Sequence, residues 1–412
     1  MCAVLTGWLF AAEAARAEAA PAPPAEGPAA EPAPMTLQLV QPRGSPCPPE
    51  PAAVEGDDWY AGWQKFKRDL EQRIGTSVNL CINYHEQVLV KGPGRDADRG
   101  VFWWDLHLAQ RLWEGARLIT HTRGGQGRGL REVLGEKLNT NWMSFEPASI
   151  YVSDIYLEQK ALGERLTVAA GKFDVTDYFD ANAFANWNFL SYSLARNLTI
   201  PYRYHALAAM VRCEPAPWFY AQASVADAQN SWTESGFQTA FDGEHYSVSI
   251  YEFGVRPQIG GRPGTYRLHF WQNTDPVARI DGSGTQREDF GFGLSFDQYL
   301  TEKGGVFLRY GHRDPRVRQM EHFWSVGTLW TGLIAERPRD VLAFGMSQAL
   351  MGGPYRRAHA GAAAETLFEL YYKWCLTPWC ALRPNAQVIL NPGADDRRGT
   401  AVVAGVSLEM SF

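Results

Sequence analysis

The sequence is poor in charge and has neither a long hydrophobic run nor an excess of basic residues. Asp, Glu, Lys and Arg make up 20% of the 412 residues, below the roughly 25% of soluble domains. No uninterrupted apolar run approaches the ~20 residues that a membrane helix needs, which excludes a helical membrane protein. Lys and Arg number 39 against 45 Asp and Glu, a net charge of -6, which makes nucleic acid an unexpected partner.

Aromatic residues and glycine, by contrast, are abundant. Trp, Tyr and Phe reach 13% of the chain, and there are 39 glycines. A soluble chain of this length would form two or three domains, since single cores stop growing near roughly 250 to 300 residues. A charge-poor chain rich in aromatic residues and glycine is instead typical of a membrane β-barrel.

The short motifs of common enzymes are also absent. The sequence has no Gly-x-Ser-x-Gly elbow, no His-Glu-x-x-His helix and no Cys-x-x-Cys pair, and Gly171-Lys172 lacks the rest of a phosphate-binding loop. The sequence therefore predicts no catalytic residues, no cofactor and no enzyme. A hydrolase that assembles Ser and His on the outside of a barrel without a local motif stays an alternative.

The amino end has the composition of an export signal followed by a linker. A short apolar run, Ala3 to Ala12, precedes small-residue sites that predict cleavage within residues 1–19. The usual basic leader is missing, so the true start of the signal stays open, and a disordered Ala-rich terminus is the alternative. Residues 20–58 are rich in Pro and Ala and cannot bury enough apolar surface to fold, which predicts a disordered linker.

Residues 59–76 predict a short amphipathic helix. Trp63, Phe66, Leu70 and Ile74 follow helical spacing, while charged residues occupy the other side. We expect this helix to pack at the periplasmic base of the barrel.

Residues 77–412 predict an all-β domain of sixteen alternating strands. At the carboxyl end, Val406, Leu408 and Met410 alternate with Ser407 and Glu409, the period of a strand that is wet on one side. The sixteen predicted strands are 78–90, 101–113, 115–123, 149–160, 165–172, 204–214, 217–226, 245–257, 264–272, 288–298, 304–313, 321–333, 340–350, 366–374, 382–390 and 402–412. The pattern of 321–333 is ambiguous.

The predicted connections and aromatic residues agree with an outer-membrane antiparallel barrel. If Phe412 lies at the periplasmic side, the turns on that side are short, and the opposite side carries the long segments 124–148, 173–203, 227–244 and 273–287. Aromatic residues fall beside the short turns, as in the girdle of a barrel: Trp113, Trp218, Tyr299, Trp330, Trp374 and Trp379.

Two separate stretches of the chain have distinctive motifs. The first runs from Gly171-Lys172-Phe173-Asp174 through Asp177-Tyr178-Phe179-Asp180 to Phe184-Ala185-Asn186-Trp187. The second is Glu365-Thr366-Leu367-Phe368-Glu369-Leu370, followed by Leu376-Thr377-Pro378-Trp379 and Asn391-Pro392-Gly393. In this order, the two stretches resemble the carbohydrate-selective porin family called OprB. The resemblance covers about residues 59–412, and it implies a sixteen-stranded outer-membrane barrel through which sugars diffuse.

In porin-like barrels the third external loop folds inward, and here that loop is 173–203. Its amide, carboxylate and aromatic groups suit the hydroxyls and C–H faces of a sugar. Opposed acidic and basic groups on the facing strands would set a transverse field at the constriction. The predicted constriction and substrate-binding residues are Glu86, Asp105, Arg111, Arg117, His121, Arg123, Lys172, Asp174, Asp177, Asp180, Asn182, Asn186, Trp187, Arg196, Glu369, Lys373 and Arg383.

Two other local interpretations concern metal and cysteine. Asp174, Asp177 and Asp180 could instead bind Ca²⁺, but their spacing is not that of an EF-hand, and we predict no metal site. Cys375 and Cys380 bracket a four-residue turn, which makes them a disulfide candidate in an oxidising periplasm.

The sequence-based hypothesis is a passive outer-membrane porin for mono- or oligosaccharides, embedded in outer-membrane lipid. The alternatives are a general diffusion porin without a sugar site and a structural envelope protein whose Pro-rich segment contacts periplasmic or cell-wall partners. The sequence does not decide which sugar passes, or whether the barrel is a monomer or a homotrimer.

Overall fold

The computed structural model describes residues 58–93, 97–201, 205–229, 235–240, 245–359, 361 and 363–412. The predicted export signal and all but the last residue of the predicted linker lie outside these residues.

The helices of the described part begin with α1, Asp58–Ile74, where the spacing predicted an amphipathic helix. The others are α2 (Arg131–Leu134), α3 (Tyr192–Ala195), α4 (Phe237–Ala240) and α5 (Gly353–Ala358). None of the helices in these ranges combines the length and apolarity required to cross a membrane.

Sixteen long antiparallel strands form a closed barrel. They are β1 (Thr76–Lys91), β2 (Asp98–Trp113), β3 (Ala116–Gly127), β4 (Phe145–Ala161), β5 (Leu166–Phe173), β6 (Ala206–Ala216), β7 (Phe219–Asp227), β8 (Ser247–Val255), β9 (Arg262–Asn273), β10 (Asp289–Thr301), β11 (Gly304–Arg313), β12 (Met320–Thr331), β13 (Val341–Met351), β14 (Ala364–Cys375), β15 (Cys380–Leu390) and β16 (Thr400–Ser411). Two-residue strands lie at Gln258–Ile259, Val277–Ala278 and Thr285–Gln286.

Each strand pairs with the next, and β16 pairs with β1 to close the barrel. Tyr84 lies opposite Leu408 across that closing seam. Closure leaves no long sheet edge unpaired, which is a requirement for a sheet that crosses a membrane. The prediction of a sixteen-stranded antiparallel barrel is confirmed.

The two ends of the barrel differ in the length of their connections. At one end the strands are joined by short turns, such as Glu114–Gly115 and 302–303. At the other end lie the long segments 128–144 and 174–201, which we name loop 2 and loop 3 by their order at that end. Long loops are external in outer-membrane barrels, so the short turns mark the periplasmic end.

The strands present alternating faces to the outside and the inside. Tyr84, Val88 and Phe102 are exposed on the outer face, whereas Asn83, His85 and Trp103 are buried on the inner face. On β12 both faces carry apolar side chains, because Phe323 packs inside while Trp324 and Val326 point outward. That double pattern explains why the alternation of this strand is ambiguous in the sequence.

Helix α1 contacts the periplasmic end of the barrel through its first residues. The ring of Trp59 lies 5.2 Å from that of Trp379 and 6.1 Å from that of Phe412. Trp379 belongs to the turn between β14 and β15, and Phe412 follows β16. The helix is therefore joined to the same rim at which the chain ends.

Candidate functional site in the barrel interior

Loop 3 lies inside the barrel, where wall carboxylates bind its backbone. The amides of Leu190 and Ser191 donate to Glu369 on β14 at 2.9 and 2.8 Å. The amide of Asp180 donates to Glu252 on β8 at 2.7 Å. Hydrogen bonds from backbone N–H groups to an ionised acceptor are strong and directional, so the loop is held along the inner wall, as the resemblance implied.

Arg309 on β11 is the central anchor of loop 3. Its guanidinium lies 3.1 Å from the carboxylate of Asp180, and both side chains are fully buried. It also donates to the carbonyl of Leu194 at 3.0 Å and to the side chain of Asn186. Asp180 accepts a further hydrogen bond from the amide of Asn197 at 3.2 Å. Two predicted sugar ligands, Asp180 and Asn186, thus hold the loop in place.

Glycines on the inner wall allow the loop to approach closely. A Cβ added at Gly345 would lie 2.6 Å from the Leu194 side chain, and one added at Gly311 would overlap the Thr199 hydroxyl. Gly311 faces the lumen, because it shares a face of β11 with Arg309 and Phe307. Gly345 faces the lumen as well, since its nearest neighbour there is the Leu194 side chain of loop 3. Their missing side chains provide the space that loop 3 fills.

Loop 2 also folds inward, which the sequence analysis did not predict. The amides of Lys137 and Leu138 donate to Glu365 on β14 at 2.9 and 2.7 Å. The carbonyl of Leu138 accepts from the amide of Ser193 at 3.2 Å, and that of Asn139 accepts from Tyr192 at 2.8 Å. Loop 2 therefore packs directly on loop 3.

Apolar side chains from both loops form a core inside the barrel. Leu130, Leu134 and Leu138 of loop 2 pack with Phe189 and Leu194 of loop 3. They meet inward-facing apolar residues of the wall, which are Phe307, Phe323, Tyr371, Ile389 and Val403. Burial of these side chains stabilises the inward position of the loops, and the core fills the part of the lumen next to these apolar wall residues.

Glu136 of loop 2 is a buried carboxyl in this core. Its Oε1 accepts from the Thr140 amide and hydroxyl at 2.8 and 2.7 Å, and its Oε2 has no hydrogen-bond partner among the described residues. Burial raises the pKa of Glu136 to about 8, and nearby Glu365 adds to that effect, while the bonds from Thr140 oppose it. The fold therefore favours the protonated form of this side chain.

The wall formed by β15, β16 and β1 carries inward polar side chains with unused hydrogen-bonding atoms. Neither amide atom of Asn83 or of Asn385 has a hydrogen-bond partner in the described part of the chain, nor does Nε2 of His85 or Nε of Arg383. The register places them together, since Asn83 pairs with Glu409 and both His85 and Arg383 pair with Ser407. We call Asn83, His85, Arg383, Asn385 and Glu409 the polar wall. Buried polar groups need partners, and water or a hydroxylated solute in the lumen would provide them.

A series of aromatic rings leads from the polar wall to loop 3. The rings of His85 and Trp103 lie 6.4 Å apart, and Trp103 is 5.7 Å from Trp142 of loop 2. Trp142 is in turn 4.4 Å from Trp187 of loop 3, and the guanidinium of Arg196 stacks on Trp187 at 4.4 Å. Trp142 and Trp187 are partly exposed, so they can offer apolar surface beside the polar wall.

Charges of both signs meet at the polar wall. Glu409 lies 2.6 Å from Nζ of Lys373 and 2.9 Å from Nη2 of Arg383. Arg383 also donates to the carbonyl of Asn188 in loop 3 at 3.0 Å. One carboxylate with two cations leaves local positive charge at this wall, which the predicted Lys373 and Arg383 provide.

Three other predicted residues form a second charged cluster on β2 and β3. Asp105 binds Arg123 at 3.0 Å and His121 at 2.8 Å. The other ring nitrogen of His121 lies 2.9 Å from Asp154, which also contacts His205 at 3.1 Å. A carboxylate therefore lies within hydrogen-bonding distance of each ring nitrogen of His121.

Two predicted lumen residues lie on the outer face instead. Glu86 shares the exposed face of Tyr84 and Val88 on β1, and it accepts a hydrogen bond from the Tyr84 hydroxyl. Lys172 pairs with outward-facing Ile155, and its ammonium donates to the Val152 carbonyl at 2.8 Å. The predictions were wrong because a charge alone was taken to mark the inner face, whereas the alternation of each strand fixes it.

Arg111 and Arg117 lie away from the loops. They pair with each other across β2 and β3 and, with Glu71 of α1 and Gly75, line a cavity of about 40 Å³ at the periplasmic end. The structure therefore places them at the periplasmic mouth of the barrel and not beside loop 3.

The remaining predicted residues of loop 3 mainly shape its turns. Asp174 accepts from the Thr176 amide at 3.0 Å and caps the short turn that ends at Asp177. Asn182 accepts from the amides of Phe184 and Ala185, both at 3.1 Å. The groups of the described residues that could hold a metal ion do not include Asp174, Asp177 or Asp180.

The predicted disulfide between Cys375 and Cys380 is wrong. Both are free thiols, as is Cys213. Cys375 pairs with Ala381, so Cys380, one residue earlier on β15, points to the opposite face of the sheet. Cys81, for which no pairing was predicted, is disulfide-bonded.

Several wall residues that bind loop 3 or the cations of the polar wall were missed. Glu252, Arg309 and Glu409 each lie between residues of the opposite face, as Arg309 does between Leu308 and Tyr310. A single charged residue at an inward position of an alternating strand was the available signal. It does not show which loop atom the charge binds.

Comparison with known proteins identifies the family. The family profile described as "Carbohydrate-selective porin, OprB family" matches residues 101–412. The chain belongs to this family. Its place is accordingly the bacterial outer membrane, and the sequence-based prediction of an outer-membrane sugar porin is confirmed at the level of the family.

Individual relatives of this OprB-family chain are distant. Porin B of Pseudomonas aeruginosa is 22% identical over 308 residues, which cover 63% of this chain and 68% of that protein. Porin AaxA of Chlamydia caviae is 25% identical over 252 residues, covering 59% of this chain and 53% of that porin.

Solved structures show the same fold. OprB of Pseudomonas putida at high pH aligns with a TM-score of 0.76 at 19% identity, covering 85% of this chain and 97% of that one. The outer-membrane channel DcaP of Acinetobacter baumannii aligns with a TM-score of 0.54 at 9% identity, covering 82% of this chain and 97% of that one.

Proposed function

We propose that the protein lets sugars diffuse passively across the outer membrane through the space between loop 3 and the polar wall. The observation that carries this proposal is the group of neighbouring inward side chains in the polar wall that keep unused hydrogen-bonding atoms. Wall groups of β8, β11 and β14 are bound by loop 3, whereas Asn83, His85 and Asn385 keep polar atoms without a hydrogen-bond partner among the described residues. These adjacent groups can therefore bind a hydroxylated solute.

The chemistry of the polar wall and of the neighbouring aromatic rings suits a carbohydrate. The amides of Asn83 and Asn385 can donate to and accept from sugar hydroxyls at the same time. Trp142 and Trp187 supply partly exposed aromatic surface for the C–H face of a pyranose ring. The charged pair Asp105–Arg123 on the inner face of β2 and β3 adds to the polar groups of the interior.

The charges near the polar wall would act on water and ions more than on a neutral sugar. Lys373, Arg383 and Glu409 set a local field, which orders water and favours one sign of ion. A neutral solute crosses such a field without a Coulombic penalty and is retained by hydrogen bonds. We propose no covalent chemistry, because the porin family and the barrel fold are those of a channel.

Solute flux through purified protein in liposomes tests the proposal. We expect saturable flux of glucose and larger saccharides, with weaker saturation in Asn83→Ala and Trp142→Ala. Glu86→Gln, on the outer face, and Arg117→Ala, at the periplasmic mouth, serve as matched controls and should keep wild-type saturation. Equal flux for sugars, amino acids and anions of one size would mean a general diffusion porin.

Absence of flux would favour a structural envelope protein, with the Pro-rich amino segment as the contact to periplasmic or cell-wall partners.

A further inference from the structure

Two histidines and a glutamate meet on the outer face of the barrel, near the external ends of β11 and β12. His312 and His322 are cross-strand partners, and their ring centroids lie 4.9 Å apart. The register between β12 and β13 passes from Met320 directly to His322, so Glu321 sits in a bulge. A bulge turns adjacent side chains toward one side of a strand, which lets Glu321 join the histidine pair.

The spacing of these side chains is that of ligands around a common centre. One ligand atom from each of His312, Glu321 and His322 lies within 4.8 Å of the other two. Glu321 Oε1 is 3.5 Å from His322 Nε2, too far for a good hydrogen bond. Two ligands bound at about 2.1 Å to a tetrahedral metal ion lie about 3.4 Å apart.

A neighbouring tyrosine fixes one of the imidazoles. The hydroxyl of Tyr310 lies 2.8 Å from Nδ1 of His322, and this contact leaves Nε2 directed toward Glu321. Metal-binding histidines usually have their second nitrogen held by such a partner. Nδ1 of His312 is buried and has no hydrogen-bond partner among the described residues.

We propose that His312, Glu321 and His322 form a binding site for a divalent transition metal ion, with Zn²⁺ as the best match. Two imidazoles and one carboxylate are borderline ligands that suit Zn²⁺, whereas Ca²⁺ and Mg²⁺ prefer all-oxygen sets. Three protein ligands leave a fourth position for water or an external group. The site lies on the outer face, away from the lumen, so it is independent of sugar passage.

The other group with metal-ligand geometry is less suited to a cation. Asp105, His107 and His121 also approach within 4.8 Å of one another, but Asp105 is bound by Arg123 at 3.0 Å. His121 is held between two carboxylates, Asp105 and Asp154. A metal ion there would have to displace protein hydrogen bonds and lie beside a guanidinium.

Zn²⁺ titration of tag-free, full-length protein in detergent, after removal of metal with EDTA, tests the site. We expect one ion per chain by equilibrium dialysis, and a tetrahedral Co²⁺ absorption spectrum when Co²⁺ replaces Zn²⁺. His322→Gln and Glu321→Gln should each weaken binding at least about tenfold, and Tyr310→Phe about 10- to 100-fold, the range for loss of a supporting partner.

His107→Gln is the matched control and should bind Zn²⁺ like the wild type. The proposal is overturned if the wild type binds no ion, if His322→Gln binds as tightly as the wild type, or if His107→Gln abolishes binding. Sugar flux of each variant reports that the barrel is intact, and we expect it to be unchanged.

Discussion

Arg309 and Asp180 form an ion pair at 3.1 Å in which neither side chain is exposed to solvent. The pair joins β11 to the middle of loop 3, where the chain adopts a positive φ of 53° at Asp180. Removing one member of a buried pair costs about 3–5 kcal/mol, because the other charge is left without a partner. The pair therefore controls whether loop 3 stays against the wall.

Replacing Arg309 by methionine should release loop 3. Asp180 loses its partner, and the carbonyl of Leu194 loses a donor. We expect higher single-channel conductance and faster protease cleavage within 174–201. Arg316→Met is the matched control, because Arg316 is exposed and pairs with Asp314 outside loop 3. Wild-type conductance and protease resistance in Arg309→Met would contradict the anchoring role.

Replacing Glu369 by glutamine should loosen the second attachment of loop 3. The carboxylate accepts from two amides, those of Leu190 and Ser191, whereas a glutamine side chain has one accepting oxygen. Loss of one hydrogen bond to a charged group costs about 1.5–3 kcal/mol. Hydrogen exchange should accelerate at these two amides and stay unchanged at Leu138, which Glu365 holds. Uniform acceleration across both loops would indicate general destabilisation instead.

The packing of loop 2 should weaken as the pH rises. The folded-state pKa of Glu136 is raised from 4.5 to about 8, so the fold binds its proton more tightly than the unfolded chain does. The stabilisation is fully present below about pH 4.5 and is lost as the pH rises through about 8. Hydrogen exchange of 131–140, corrected for the intrinsic rate, should show more opening at pH 9 than at pH 6.

Glu136→Gln should remove this pH dependence, because the amide keeps an acceptor for Thr140 and cannot ionise. The control is Glu132→Gln in the same loop, where the side chain is 75% exposed and pairs with Arg128. It should keep the wild-type profile. A Glu136→Gln variant with the same pH profile as the wild type would assign the effect to another group.

Replacing Glu409 by glutamine should make the pore more selective for anions. Glu409 is the carboxylate that contacts both Lys373 and Arg383, so its neutralisation leaves two cations at the polar wall. Reversal potentials in a salt gradient should shift toward the anion equilibrium potential, and the shift should shrink at high ionic strength because of screening. Glu86→Gln changes the same charge on the outer face and should not shift the potential.

The sequence by itself determined the architecture. Period-two alternation, short turns at one end and long loops at the other were sufficient to predict sixteen strands, and the resemblance in 171–187 and 365–393 indicated the family. These features are local, since the alternation of side chains between the two faces of a strand is visible within a few residues. The inward course of loop 3 was an expectation from porin-like barrels, carried over to this loop by its order in the chain.

Tertiary structure decided which side chains meet. Closure of the barrel fixes the register, and one residue of shift exchanges the inner and outer faces, which is why Glu86 and Lys172 lie outside and Cys375 and Cys380 do not pair. The inward fold of loop 2 depends on Glu365, more than 200 residues away. Asp180 and Asn186 bind Arg309 instead of lining an open pore, because a buried guanidinium needs several acceptors. Such contacts between distant segments leave no periodic pattern in the sequence.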